Sequence, residues 1–151
     1  MIEGKIKDLG IELPVPPTPA GSYIPVVKTG NLLFISGQIP MESGKVVFTG
    51  KVSDENLEVA QKSARMCAIN IVAQIKREIG DLDKVTKIVR LSGFVNSSPE
   101  FTQHPKVINA ASDLIFEIFG DRGKHSRIAV GVASLPLGSM TEIDAIIEVS
   151  N

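Results

Sequence analysis

The most informative pattern in the chain lies near the C-terminus, in Arg127-Ile128-Ala129-Val130-Gly131-Val132-Ala133. Because strand side chains alternate between the two faces of a sheet, one face of this segment carries three β-branched residues. The other face carries Arg127 and three small residues, which leaves space beside the guanidinium. An arginine binds a planar carboxylate through two parallel hydrogen bonds. The segment therefore predicts a strand that binds a small organic acid.

The next segment, Ser139 to Val149, predicts a second strand with acidic residues on one face. Those residues are Glu142, Asp144 and Glu148. A carboxylate near Arg127 would suit catalysis. The same residues also fit a structural ion pair between Arg127 and Glu142 on neighbouring strands, or a solvated face. Pattern alone leaves both interpretations open.

Upstream, the spacing of apolar residues predicts a hairpin, a helix, a strand and a second helix. Their predicted limits are Tyr23–Lys28 and Leu32–Ser36 for the hairpin, Ser53 to Gly80 for the first helix, Val85–Val95 for the strand, and about Pro105 to Gly120 for the second helix. The order ββαβαββ, with one more short strand after the hairpin, indicates an α+β fold with two helices on one face of the sheet. Strands that are apolar on both sides predict a partner subunit as the cover.

The segment Leu13 to Pro19 is rich in proline, which favours an extended backbone. We therefore interpret residues 1–151 as a single domain in which residues 1–20 form an extended arm. The length of 151 residues suits one hydrophobic core.

Composition excludes several functional classes. The net charge of −1 gives no basic field for nucleic acid, and no run of about 18 apolar residues is present to span a bilayer. Neither a phosphate-binding glycine motif nor a secretory signal is found. One cysteine suits a reducing cytoplasm, and two histidines with one cysteine do not favour a metal site.

Three residues with reactive side chains each have a structural interpretation. Cys67 lies on the apolar stripe of the first helix and is predicted to be core. Ser36 lacks a histidine base nearby in sequence, so a hydrogen-bonding role is favoured. Tyr23, the only tyrosine, is by itself typical of an amphipathic packing residue.

Two separated motifs resemble the YjgF/RidA family. The first combines Gly21-Ser22-Tyr23 with the run from Gly30 to Pro40, and the second combines Arg127, the run from Val132 to Pro136, and the run from Glu142 to Ala145. The order and spacing of both motifs match, and the resemblance covers residues 17 to 149. It implies a chorismate-mutase-like α+β fold, with a mixed sheet, that assembles as a homotrimer with small-molecule sites between subunits.

The resemblance also implies an activity: hydrolysis of reactive enamines and imines, such as 2-aminoacrylate, to 2-keto acids and ammonia without a cofactor. Arg127 matches the arginine that holds the substrate carboxylate, and Glu142 matches the glutamate associated with the attacking water. Backbone groups near Ala129 would hold the nitrogen end of the substrate. The remaining predicted binding residues are Tyr23, Ser36 and Asn109.

The chain departs from the family archetype at two positions of the second motif. Ala129 stands where the archetype has cysteine, and Gly131 stands where it has glutamate. These losses favour an alternative function, a non-catalytic protein that binds a small carboxylate through Arg127. Glu142 favours catalysis, because simple carboxylate binding does not need it. An endoribonuclease or translation inhibitor, a function attached to some relatives, has no basic excess or paired histidines to support it.

Overall fold

A five-stranded mixed sheet with two long helices forms the centre of the molecule. The structure, a computed structural model, describes residues 1–16 and 22–151. The helices are α1 (Ile2–Asp8), α2 (Leu57–Ile79) and α3 (His104–Phe119). The strands are β1 (Val26–Thr29), β2 (Leu32–Gln38), β3 (Met41–Glu42), β4 (Lys45–Val46), β5 (Val85–Asn96), β6 (Ser126–Val132) and β7 (Thr141–Val149).

The strand order in the sheet is β1-β2-β7-β5-β6, so β6 lies at an edge. Among the strands of residues 1–16 and 22–151, β5 and β6 run parallel, because α3 connects them as a crossover, and the other pairs in the sheet are antiparallel. β3 and β4 form a separate two-stranded hairpin. The mixed sheet and the order of the main elements are confirmed, and the one short strand expected after the first hairpin is a pair of strands.

Both long helices pack on the same face of the sheet, as predicted. The segment that leads into α2 begins at Ser53, the residue predicted to cap this helix. Ser53 and Asn56 form a capping box there. At its other end Gly80 adopts a φ of 77°, a left-handed conformation that favours glycine and ends the helix. In the described residues, none of the helices has the length and apolar character needed to cross a bilayer.

The N-terminal segment corrects one prediction, since residues 1–20 are not an extended arm throughout. Residues 2–8 form α1, which buries Ile2 and Ile6 against the core. The backbone N–H of Ile2 donates to Asp83 Oδ1 at 2.8 Å, and Glu3 pairs with Lys76 of α2. The i, i+4 spacing of the two isoleucines explains the helix, a signal that the nearby prolines obscured. The part of the predicted arm at residues 17–20 lies outside the described residues.

The face of the sheet that the helices leave uncovered exposes several large apolar side chains. Large exposed side chains on it come from β1, β2 and β6: Val27, Phe34, Ile128 and Val130. They are between 38% and 49% exposed, although each belongs to a regular strand. Large apolar side chains exposed on a sheet face are typical of a contact between protein chains.

Cys67 is fully buried on α2, so its interpretation as a core residue is confirmed. Burial raises the pKa of its thiol to about 12, because the low-polarity interior disfavours the thiolate. We therefore expect the native protein to resist labelling by an aromatic disulfide reagent at pH 8, and the unfolded chain to react fully. Stoichiometric labelling of the native protein within minutes would show that the core opens readily at α2.

Candidate functional site

Arg127 lies on the helix-facing side of β6, half-buried beneath α3. Its Nη1 donates to Asn109 Oδ1 at 2.8 Å and to Ser112 Oγ at 3.1 Å. In residues 1–16 and 22–151 no carboxylate lies within ion-pair distance of it. The two α3 side chains therefore orient the guanidinium without neutralising it, which leaves its charge available to an external anion. Asn109 and Arg127, predicted separately, are brought together.

A further hydrogen bond connects this group to His125. The ring Nδ1 lies 2.6 Å from the carbonyl oxygen of Gly123, and a carbonyl only accepts, so Nδ1 carries the proton. The other ring nitrogen, Nε2, lies 2.9 Å from Ser112 Oγ. Ser112 therefore accepts from Arg127 and lies within hydrogen-bond distance of His125. Sequence reasoning missed Ser112, although its i+3 spacing from Asn109 puts both on one face of α3.

Glu142 lies in a different part of the molecule, on the uncovered face of β7. A register shift in β2 between Ile35 and Gln38 brings the backbone of Gly37 against its carboxylate. Partial burial raises the pKa of Glu142, and the nearby charge of Asp144 raises it further. A carboxylate with a raised pKa is a stronger base than an ordinary surface carboxylate, which suits it to accept a proton from water.

Glu142 lines a cavity of about 380 Å³ at the end of β2 and β7. Tyr23 lies on the same cavity and is 64% exposed, which is unusual for a tyrosine that only packs. Ser36 is nearby in β2, and its hydroxyl donates to the carbonyl oxygen of Ile24 at 2.9 Å. That bond fixes the segment that carries Tyr23, so a structural role of Ser36 is present whether or not it contacts a ligand.

The position of the Glu142 carboxylate leaves room only for glycine at residue 37. A Cβ added at residue 37 would overlap the carboxylate and lie 2.9 Å from its Cδ. We expect Gly37→Ala to displace Glu142 and to lower kcat/KM for the enamine and imine hydrolysis that the family resemblance implies by roughly 10- to 100-fold, as small misplacements of reacting groups do. Steady-state kinetics of the variant checks this. Gly4→Ala is the matched control, because a Cβ there meets only Met1 Cβ at 4.0 Å.

Arg127 and Glu142 do not meet within one chain. Arg127 pairs in register with Leu91 of β5, and Leu91 with Ala145 of β7, all on the face that the helices cover. Glu142 pairs with Phe94, on the opposite face. Because β5 also separates β6 from β7, the hypothesis of a structural ion pair between neighbouring strands is wrong.

The space predicted beside Arg127 is only partly open. Ala129 packs against the core, and a Cβ at Gly131 would overlap Ser97 and His104, whose Oγ and Nε2 lie 3.3 Å apart. These two side chains occupy the place that a larger residue would take. Among the described residues no group of three or more histidine, cysteine or acidic side chains is arranged to hold a metal ion.

Comparison with known proteins identifies the class to which this fold and this site belong. The family described as "YjgF/chorismate mutase-like, putative endoribonuclease" matches residues 3–149. The chain therefore belongs to the YjgF family, and the resemblance seen in its two sequence motifs is confirmed, as is the chorismate-mutase-like fold.

Individual relatives span nearly the whole chain. Protein TCP17 of Trypanosoma cruzi is 42% identical over 152 residues, covering 99% of this chain and 95% of its own. A 2-iminobutanoate/2-iminopropanoate deaminase of Dermatophagoides farinae is 28% identical, covering 91% of this chain and 93% of its own.

Two solved structures extend the comparison. Atu1372 of Agrobacterium tumefaciens, a protein of unknown function, superimposes with a TM-score of 0.92 at 49% identity and covers 99% of this chain and 92% of its own. TdcF of E. coli with bound serine superimposes with a TM-score of 0.62 at 26% identity, covering 90% and 94%.

Proposed function

We propose that the protein hydrolyses enamines and imines of 2-amino acids to 2-keto acids and ammonia, without a cofactor. The observation that carries the proposal is the Glu142 carboxyl, half-buried beside Gly37 in a cavity with Tyr23, with its pKa raised. The similarity to a deaminase of imino acids supports this reaction class. An imine carbon is already electrophilic, so the protein needs only to orient the substrate and to activate water.

In the proposed reaction Glu142 accepts a proton from water as the water oxygen bonds to the imine carbon. An enamine enters as its imine tautomer, after its terminal carbon gains a proton from solvent and its nitrogen loses one. The C=N double bond becomes a single bond, and the nitrogen takes up a proton from solvent. The carbinolamine then collapses: its hydroxyl proton leaves to solvent, the C–N bond breaks, a C=O bond forms, and the nitrogen departs as ammonia with the proton that Glu142 held. One water is consumed for each keto acid and ammonia released, and Glu142 ends in its starting state.

We further propose that the reaction takes place between two copies in a homotrimer. Two features support this: Arg127 and Glu142 lie on opposite faces of one sheet, and the uncovered face exposes Phe34 and Val130. In the assembly Arg127 of one copy would hold the substrate carboxylate, beside backbone groups near Ala129. Tyr23 and Glu142 of another copy would close the site from the other side.

A non-catalytic carboxylate-binding protein is the second candidate. The observation that favours it is the guanidinium of Arg127, oriented by Asn109 and Ser112 and without an ion-pair partner in the described part of the chain. TdcF, a structural relative, holds serine, which carries a carboxylate. Such a protein would bind keto or amino acids without turnover.

The test is the release of keto acid from 2-aminoacrylate generated by a serine or threonine dehydratase, with wild-type protein and Arg127→Ala. We expect the wild type to accelerate release and the variant not to. Saturable binding of keto acid or serine that is lost in Arg127→Ala, with no acceleration by the wild type, would establish the binding protein instead. RNA cleavage that survives Arg127→Ala would point to the endoribonuclease of the family's description.

A further inference from the structure

Hydrogen bonds to backbone carbonyl oxygens fix the orientation of the side-chain amides beside the Glu142 cavity. Gln38 Nε2 donates to the carbonyl oxygen of Ser36 at 3.0 Å, and because a carbonyl only accepts, the Oε1 of Gln38 faces the other way. Gln74 Nε2 donates to that Oε1 at 3.4 Å. The remaining atom, Gln74 Oε1, is buried and accepts no hydrogen bond within the described residues, although the side chain is only 6% exposed.

Asn70, one turn earlier on α2, is oriented in the same way. Its Nδ2 donates to the carbonyl oxygens of Ile39 and Met41, at 3.0 and 3.1 Å. Both of its amide protons are thereby used, and its Oδ1 can only accept. Asn70 and Gln74 both line the cavity of Glu142. The acceptors on the wall of this cavity therefore include the Glu142 carboxylate and the oxygens of these two amides. Tyr23 and Ser43, whose hydroxyls can donate or accept, also line it.

The N-terminal segment also lines the cavity. Pro14, Val15 and Pro16 line the cavity, and Arg77 of α2 donates to the carbonyl oxygen of Pro16 at 3.3 Å. The described residues that line the cavity include one carboxylate and no lysine, arginine or histidine. Its volume of about 380 Å³ exceeds what the few atoms of 2-aminoacrylate require.

We propose that this cavity receives the substrate's side chain, and that the preferred substrates are 2-imino acids whose side chain ends in a cationic group rich in N–H donors, an amino or guanidino group. The proposal rests on the proposed function, since the carboxylate and imine carbon are placed by Arg127 and Glu142. Gln74 then acts as a specificity residue, accepting a hydrogen bond from the cation.

Substrates with an acidic or an apolar side chain are expected to bind in this cavity more weakly. An acidic side chain would face Glu142 and the nearby Asp144, and the described lining residues of the same chain supply no lysine, arginine or histidine to compensate. An apolar side chain would exclude water while leaving the Gln74 oxygen without a partner, which costs binding free energy. A cationic donor satisfies both the charge and the hydrogen-bonding capacity of the cavity.

The test compares three imines whose side chains differ in charge, generated in situ by amino-acid oxidases from arginine, norleucine and glutamate. We expect wild-type kcat/KM to be highest for the guanidino imine and lowest for the acidic one. Gln74→Met removes the acceptor at nearly constant volume, and we expect the ratio of the guanidino to the norleucine imine to fall about tenfold or more, as loss of a charge-assisted hydrogen bond predicts. Gln61→Met is the matched control on α2, since Gln61 bonds to Lys106 and lies outside the cavity.

Two outcomes would overturn the inference while the deaminase reaction stands: Arg127-dependent turnover with no preference for the guanidino imine, or a substrate ratio that Gln74→Met leaves at the wild-type value. If no imine is turned over, the proposed function fails, and calorimetric titration with arginine and norleucine still tests the cavity. Tighter binding of arginine that weakens in Gln74→Met would then support the acceptor-lined site, and equal binding of both would contradict it.

Discussion

Arg127→Lys is expected to lower kcat/KM for imine hydrolysis by about 10- to 100-fold, because a lysine ammonium cannot make two parallel hydrogen bonds to a carboxylate. The loss should be larger than for a surface charge, since Asn109 and Ser112 orient the guanidinium at 2.8 and 3.1 Å. Steady-state kinetics with a dehydratase-coupled assay measures it. We expect most of the effect in KM, because the carboxylate is bound in the ground state as well as in the transition state.

Arg65→Lys provides the control, as Arg65 is exposed on α2 and away from both groups of site residues. It should retain wild-type kinetics. Wild-type turnover in Arg127→Lys would show that this position contributes charge alone and does not clamp a carboxylate.

Glu142→Gln is expected to reduce kcat about 100- to 10,000-fold, since glutamine is nearly isosteric but cannot accept the proton of the attacking water. Affinity for the keto-acid product should change much less. In the wild type, activity requires the ionised carboxylate, so kcat/KM should rise with pH through a pKa above 4.5, and the acid limb should disappear in the variant. Equal losses of turnover and affinity would argue against a role in water activation.

Glu142→Gln is expected to stabilise the folded state although it lowers activity. Because the pKa of Glu142 is raised in the folded state, that state holds more protons than the unfolded chain between the two pKa values. Stability therefore falls as pH rises through that window and stays lower above it. Glu142→Gln should raise Tm at pH 7, and the difference from wild type should shrink towards pH 4. Glu148→Gln, on the same face of β7 but exposed, is the control for both measurements.

The main elements of the fold follow from local patterns in the sequence. The apolar stripe of α2, its capping box and the glycine at its end each depend on residues close together in sequence. Strand alternation likewise predicts which neighbours in its own strand share a face with Arg127 or with Glu142. α1 escaped prediction because a helix of 7 residues leaves a weak periodic signal next to a proline-rich segment.

The relation between the two halves of the site is not encoded locally. Whether Arg127 and Glu142 share a face depends on the strand that lies between β6 and β7, and sequence distance says nothing about that. The amide orientations at Gln38 and Gln74 likewise depend on backbone carbonyls supplied by the register shift in β2. Such contacts join segments that are distant in sequence, so periodicity cannot anticipate them.

The most direct test of a site shared between copies is subunit complementation. Arg127→Ala and Glu142→Gln, each inactive alone and carrying different affinity tags, are dissociated, mixed in equal amounts and reassembled, and oligomers holding both tags are isolated. In the proposed trimer, an oligomer that holds both variants has both native residues at about one site in three. We predict recovery of roughly a third of wild-type activity. A doubly tagged oligomer no more active than its inactive components would contradict a catalytic site built from Arg127 of one copy and Glu142 of another.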